Sequence, residues 1–213
     1  MVSKQELRSE ETKRAILTAA GELFAKRGFD TVSIREIAKA AGCSHTTLYI
    51  YFKDKEALLH QLAEGPLQGL AQQIETTLES DVQSPEDKLR KVSLLFIWFS
   101  LKNQNMYTLF FMTKASRIDE ESSTSQLQKL RTHLFRLLRQ AVSECLPASL
   151  KEEEALAYAR IYFYTLQGIV GTYTHSEEPL ESLMERLTPT FELAVEVMLA
   201  GCKQNASRGE EKK

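Results

Sequence analysis

Residues 41–59 read AGCSHTTLYIYFKDKEALL, and this stretch holds too many polar groups for a helix that only packs against its neighbours. After a glycine-containing turn, Ser44 is placed to cap a short helix that ends near Tyr51. Within that helix only Leu48 and Phe52 lie where core residues are expected. The opposite face carries imidazole, hydroxyl and phenol groups, so the sequence predicts a surface that contacts something other than the protein's own core.

Two more helices are predicted before this one. An apolar stripe that ends at Phe24 indicates a helix that closes at Gly28. Ser33 and Glu36 have the spacing of a capping box, and they predict a second, two-turn helix that stops at Gly42. Three helices whose last two are joined by a glycine-containing turn are typical of a helix-turn-helix, whose last helix lies in the major groove of DNA.

The polar residues of this region divide into two groups. Some share the helix face opposite Leu48 and carry groups that can hydrogen-bond base edges or touch a thymine methyl, so we predict base contacts by Arg35, His45, Thr46 and Tyr49. The others suit phosphate contacts, which fix register without reading sequence, and they are Ser33, Thr47, Tyr51 and Lys55. On spacing alone, a solvated helix pair in an ordinary bundle is the alternative.

The remainder of the chain is helical in pattern. Asp54 is a good cap for a long fourth helix, which Pro66 is expected to kink or break. Further helices are predicted at 85–103, 104–115, 123–146, 151–175 and 179–203, with no β-sheet. We therefore predict an all-α fold with a helix-turn-helix domain over 1–53 that extends into the helix from 54, a larger helical ligand-binding and dimerisation domain over 54–205, and a disordered tail over 206–213.

Bulk composition restricts the class of protein. The net charge is −2, and residues 1–60 hold ten Lys and Arg against eight Asp and Glu, so charge alone does not indicate nucleic acid. The three cysteines are widely spaced without a CxxC motif, which points to a reducing compartment. We see no secretion signal and no apolar run long enough to cross a membrane, so we expect a soluble cytoplasmic protein without membrane association.

Enzymatic chemistry has no starting point in the sequence. No metalloprotease, serine hydrolase or glycine-rich phosphate-binding motif is present. The histidines are scattered along the chain, at His45, His60, His133 and His175. We therefore expect no enzyme, no cofactor and no metal site.

Residues 12–59, TKRAILTAAGELFAKRGFDTVSIREIAKAAGCSHTTLYIYFKDKEALL, resemble over their whole length the DNA-binding region of the tetracycline-repressor (TetR) family of bacterial transcriptional regulators. The resemblance implies a homodimer that binds a palindromic operator and usually represses until a small molecule enters its C-terminal domain. It also implies that the phosphate and base contacts predicted above are the family's own. The sequence departs from the family pattern at Cys43, where Val is commoner, and at Thr46, where Gly, Ala or Pro is commoner.

The C-terminal half supplies candidates for a ligand pocket. Residues 92–112 are apolar all round and therefore predicted to be buried. A pocket for an apolar or aromatic ligand is one interpretation and plain core packing is the other. The candidate lining residues are Trp98, Tyr107, Phe111, Tyr162 and His175.

The last two predicted helices are candidates for a dimer interface. Both carry more apolar residues than one core face needs, and small residues on the first of them permit close helix approach. The candidates are Gly168, Gly171, Leu183, Leu187, Phe191, Ala194 and Met198. The resemblance implies that these helices form an intermolecular four-helix bundle. A ligand-independent DNA-binding protein of architectural or interaction type, with a filled C-terminal core, is the alternative function.

Overall fold

The computed structural model describes residues 4–107 and 126–210. Within these ranges the chain forms α-helices and no strand, which confirms the predicted all-α fold with an N-terminal helix-turn-helix. The helices are α1 (Lys4–Arg27), α2 (Ile34–Ala40), α3 (His45–Tyr51), α4 (Lys55–Leu78), α5 (Pro85–Lys102), α6 (Gln104–Tyr107), α7 (Gln126–Glu144), α8 (Glu152–Tyr173) and α9 (Leu180–Glu210).

The chain divides into two compact units, Met1–Leu67 and Gln68–Lys213. The division lies inside α4, so the first unit includes more of this helix than the start of it that the predicted domain over 1–53 extends into. Leu58, Leu59 and Leu67 in the first half of α4 are buried. A Cβ on Gly21 of α1 would lie 3.5 Å from the Leu62 side chain, so this half of α4 belongs to the core of the first unit.

The turns of the first unit follow the sequence prediction. Gly28 and Gly42 have φ angles of 80° and 68°, the left-handed conformation that glycine adopts without strain. The Gly28 N–H donates to the Phe24 carbonyl at 2.9 Å and closes α1. Ser44 caps α3, since its Oγ accepts from the Thr47 N–H at 2.9 Å. Because these signals are local, they fix the path of the chain into α3.

Two predicted features of the helices differ from the structure. α4 continues through Pro66 without the expected break, because buried residues on either side of it, Ala63 and Leu67, keep the helix packed. α9 runs to Glu210, so residues 206–210, which were assigned to a disordered tail, are helical. Ala206 is buried there, and the last three residues lie outside the described ranges.

In the second unit α5 contacts α7, α8 and α9. Phe163 of α8 stands in its core, with ring centroids 6.0 Å from Phe96 and 5.7 Å from Phe135. Two ion pairs tie α5 to α9 at its surface, Arg90–Glu196 and Lys203–Glu86. None of the helices in the described ranges has the length and apolar character needed to cross a membrane.

Candidate nucleic-acid interface

The exposed face of α3 carries the side chains predicted to contact bases. His45, Thr46 and Tyr49 are exposed, whereas Leu48 and Phe52 are buried as predicted. The rings of His45 and Tyr49 meet edge to face, with centroids 4.8 Å apart. This contact holds two hydrogen-bonding side chains one turn apart on the open side of the helix.

Ile50 is a residue of this face that the sequence prediction missed. Its side chain is 75 % exposed, which is unusual for a large aliphatic residue. The other exposed side chains that we describe on this helix are polar. Ile50 follows Thr46 by one helical turn and therefore lies on the same side of α3. An apolar residue two positions after the core residue Leu48 was the signal that could have found it.

Arg35 lies in the first turn of α2, directly after the first residue of the helix. Its side chain is exposed, and no hydrogen bond or ion pair ties it to the residues that the structure describes. The guanidinium group is therefore available for the bidentate contact with guanine that only arginine among the candidates can make.

Three of the four candidates for phosphate contact, Ser33, Thr47 and Lys55, have hydrogen-bond partners within the unit. The Ser33 hydroxyl donates to Glu36 Oε2 at 2.7 Å, and Thr47 Oγ1 lies 2.7 Å from Ser44 Oγ. Tyr51 is half-buried. To donate a hydrogen bond to a DNA phosphate, the hydroxyl groups of Ser33 and Thr47 must therefore give up or share the hydrogen bonds that they form with Glu36 and Ser44.

Lys55, whose ammonium group is predicted to contact a DNA phosphate, also has partners inside the unit. The ammonium donates to the carbonyls of Phe29 at 2.7 Å and Val32 at 3.0 Å, and it lies 4.2 Å from the centre of the Phe29 ring. Two of its three protons are thus used inside the unit. Lys55 fixes the loop between α1 and α2 to the start of α4, and one proton remains for a phosphate.

Glu36 holds the start of α2 through a capping box, as predicted. Its carboxylate accepts from the Ser33 hydroxyl and from the Ser33 N–H at 2.8 Å, and it pairs with Arg27 at 2.7 Å. The Ser33 hydrogen bonds, followed by those from Arg27, lower the pKa of Glu36 from 4.5 to about 2. The stretch that leads into α3 is thus held by an ionised carboxylate.

We expect Glu36→Gln to remove part of the acid sensitivity of this protein. Because the pKa of Glu36 is lower in the folded state, its stabilising contribution is complete above pH 4.5 and is lost as the pH falls towards about 2. Urea denaturation across this range should show a shallower decline of the midpoint for the variant than for the wild type. If the urea midpoints of the variant and the wild type declined equally with pH, the Glu36 carboxylate would have the same pKa in the folded and the unfolded state.

The ligand-pocket candidates of the second unit differ in burial. Trp98 is 39 % exposed, with the Lys102 ammonium 4.3 Å from its ring centre, and His175 is exposed. Tyr107 and Tyr162 are buried, and the Tyr162 hydroxyl lies 2.7 Å from Ser93 Oγ. Phe111 lies outside the described residues. Among the described candidates the two tyrosines are thus buried, whereas Trp98 and His175 are exposed.

A small cavity does lie in the core of this unit, at a different place. Its volume is about 10 Å³, which is room for no more than one water. The lining is apolar and is made by Phe96, Phe135 and Phe163 together with Ile74, Val92, Leu134 and Leu138. None of the predicted pocket residues contributes to it. Of the segment 92–112, which is predicted to be buried all round, Trp98 and Lys102 are exposed, and residues 108–112 lie outside the described ranges.

The predicted dimer residues separate into buried and open positions. Leu183, Leu187 and Phe191 are buried within their own unit, so the stripe proposed as an interface is the core face of α9. Ala194 and Met198 are half-buried. Gly168 and Gly171 are exposed, with nothing within 4 Å of an added Cβ.

A second apolar face on α8 and α9 is open instead. We define the α8–α9 apolar face by Ile161, Tyr164, Gly168, Gly171, Leu193 and Val197, all exposed. The two helices adjoin here, since Thr165 Oγ1 donates to Met198 Sδ at 3.7 Å. Of the residues predicted for a dimer interface, Gly168 and Gly171 belong to this face, and Ile161, Tyr164, Leu193 and Val197 are additional to the prediction.

Both halves of the chain match known families. Residues 16–62 match the model described as "Bacterial regulatory proteins, tetR family", and residues 89–198 match "Tetracyclin repressor-like, C-terminal domain". A transcriptional regulator of helix-turn-helix type from Mycobacterium tuberculosis is 39% identical over 82 residues, which are 38% of this chain and 40% of that protein. The chain thus aligns with about two fifths of the length of the first curated relatives.

Two further similarities extend along most of the chain. The helix-turn-helix regulator YdgC of Bacillus subtilis is 24% identical over 92% of this chain and 86% of its own length. The solved structure of the regulator FadR of Bacillus subtilis in complex with stearoyl-CoA has a TM-score of 0.61 at 19% identity, over 89% of this chain and 98% of that one. At this identity the structural likeness concerns the fold.

Proposed function

Because the chain belongs to the TetR family of bacterial transcriptional regulators, we propose that it is a repressor that binds a palindromic operator as a homodimer. A small apolar or aromatic molecule releases it. The exposed polar face of α3 carries this proposal, since it has no function in packing the unit. Such a regulator acts in the cytoplasm and needs no catalytic group.

The reading of DNA sequence falls to α3 and the start of α2. Arg35 pairs with a guanine edge, while His45, Thr46 and Tyr49 hydrogen-bond to bases in the major groove. Ile50 adds an apolar surface that suits the methyl group of thymine. Phosphate contacts by Ser33, Thr47, Tyr51 and the remaining proton of Lys55 set the register of the helix.

The α8–α9 apolar face is the surface through which we propose that two copies associate. A two-fold dimer places the same residues of both copies in contact, and the open glycines let the helices approach closely. Such a dimer presents its two α3 helices to half-sites about 34–36 Å apart, one turn of DNA. A palindromic operator follows from this symmetry.

Release requires that the ligand bind one conformation of the protein better than the DNA-bound one. α4 contributes residues to both compact units, so a ligand in the second unit can act on the first through this helix. The FadR structure contains stearoyl-CoA, which supports a small-molecule effector for this chain. The alternative is a ligand-independent DNA-binding protein whose second unit has a filled core.

Selection of duplexes from a random DNA pool, with the mass of the complex measured in the same sample, tests the proposed function. We expect an enriched palindrome bound by two subunits. Replacing the thymines of this palindrome with uracil removes only their methyl groups. This replacement should lower the operator affinity of the wild type more than it lowers that of the Ile50→Ala variant. Salt-sensitive binding without an enriched sequence would contradict the repressor and support an architectural protein.

A further inference from the structure

Two buried polar side chains of the second unit lack the partners that their burial requires. Ser100 Oγ on α5 and Arg131 Nε on α7 are the only fully buried side-chain nitrogen or oxygen atoms without a hydrogen bond among the residues described. Arg131 is 7 % exposed. Its Nη1 donates to Gln128 Oε1 at 3.0 Å, and none of the Asp and Glu residues in the described ranges forms an ion pair with it.

A buried guanidinium without a carboxylate is costly. Arginine cannot shed its proton in a protein, so burial, which lowers the pKa of Arg131, leaves the charge in place. An uncompensated buried charge destabilises a fold more than an apolar side chain of similar size would. The second unit therefore carries a cation that its own described residues do not neutralise.

The helix register places both groups at one end of the same core. Phe96, Phe135 and Phe163 form one layer, from α5, α7 and α8. The α7–α8 hairpin is antiparallel, and an ion pair joins Arg139 to Glu152 across it. We call the three rings the phenylalanine layer.

α8 runs in the same direction as α5, because Ser93 meets Tyr162 while Tyr107, beyond the end of α5, meets Gln167. α7 therefore runs opposite to α5. One turn from the phenylalanine layer, towards the end of α5, come Ser100 on α5 and Arg131 on α7. The two unsatisfied groups thus belong to the next layer of the core.

We propose that Arg131 and Ser100 form the polar end of an effector site that binds the carboxylate of a ligand whose remainder is apolar and lies against the phenylalanine layer. A guanidinium matches a carboxylate with two parallel hydrogen bonds, and the Ser100 hydroxyl can donate a third. This proposal rests on the proposed function, since it assigns the chemistry of the molecule that releases the DNA.

Binding must widen the cavity beside the phenylalanine layer, because about 10 Å³ cannot hold a hydrocarbon chain or ring. Ile74 of α4 is part of its lining. A ligand that enters therefore displaces a side chain of the helix that both compact units share. The ligand therefore binds the conformation with the displaced side chain better than the other conformation. Release from DNA requires such a difference in affinity.

The test compares acids with alcohols of the same carbon skeleton on the full chain, by calorimetry. Decanoate and decanol form one pair, benzoate and benzyl alcohol the other. We expect at least one acid to bind the wild type about tenfold or more tightly than its alcohol, since a charge-assisted pair is lost in the alcohol. Arg131→Met should abolish this preference. Arg136→Met, at an exposed arginine of the same helix, should retain it.

Thermal melting of the ligand-free proteins separates a binding role from a structural one. Arg131→Met should melt at the same or a higher temperature than the wild type, because it removes a buried charge. A clearly lower melting temperature would show that Arg131 is neutralised within the fold and would overturn the site. The absence of any preference for either acid, or its persistence in Arg131→Met, would also overturn it.

Binding of the selected operator duplex, measured by fluorescence anisotropy, separates this inference from the proposed function. The preferred acid should weaken operator binding by the wild type and leave Arg131→Met unaffected. Acid binding without any effect on operator affinity would overturn the effector role. Acid binding by a protein that selects no operator would uphold the carboxylate site and contradict the repressor.

Discussion

Val197→Glu in α9 is expected to convert the proposed dimer into monomers and to weaken operator binding by roughly a hundredfold or more. Val197 is 63 % exposed in the single chain, so the change should not disturb the fold. In a two-fold dimer the substitution occurs twice, and burying an unpaired carboxylate costs about 3 kcal/mol or more. Sedimentation and operator titration at matched concentrations measure both effects.

Val82→Glu is the matched control for this prediction. Val82 is 95 % exposed, lies in the same compact unit before α5 and is not part of the α8–α9 apolar face. We expect this variant to remain dimeric and to bind the operator as the wild type does. A dimeric Val197→Glu would show that another surface holds the subunits together.

Leu48→Ala should lower the free energy of unfolding of the first unit by about 3 kcal/mol and abolish operator binding. The Leu48 side chain is 0 % exposed and is the buried anchor of a seven-residue helix. Such a short helix depends on packing rather than on its own propensity. Urea denaturation followed by circular dichroism measures the loss.

Ile50→Ala is the control on the same helix. Because Ile50 is exposed, we expect the free energy of unfolding to change by less than about 0.5 kcal/mol, while operator affinity falls. Equal destabilisation by the two substitutions would mean that Ile50 is covered in solution. Unchanged operator affinity in Ile50→Ala would remove it from the DNA surface.

The sequence predicts the first unit well because its signals act over a few residues. The capping box of Ser33 and Glu36, the left-handed glycines and the Ser44 cap each depend on neighbours within one turn. The burial of Leu48 follows from helical periodicity as soon as these helix ends are known. The exposed face of α3 then contains the predicted base-contacting side chains.

The pocket and dimer predictions for the second unit depend on which helix packs against each side of another helix, and the sequence does not give this information. α9 has apolar residues on more than one side, and periodicity does not say that Leu187 packs inside its own unit while Val197 stays open. The pocket prediction had the same weakness, since an aromatic composition does not give the direction of Trp98. The lone charge of Arg131 became visible only when the partners of every buried atom were known.

The shared helix α4 also determines where regulators of this kind can be recombined. A DNA-reading module that ended at residue 53 would lose Leu58, Leu59 and Leu67, which are buried parts of its core. Such a fragment would expose apolar surface and aggregate when joined to a foreign partner. A DNA-reading module transferred from this chain into a designed biosensor should therefore extend through the first half of α4.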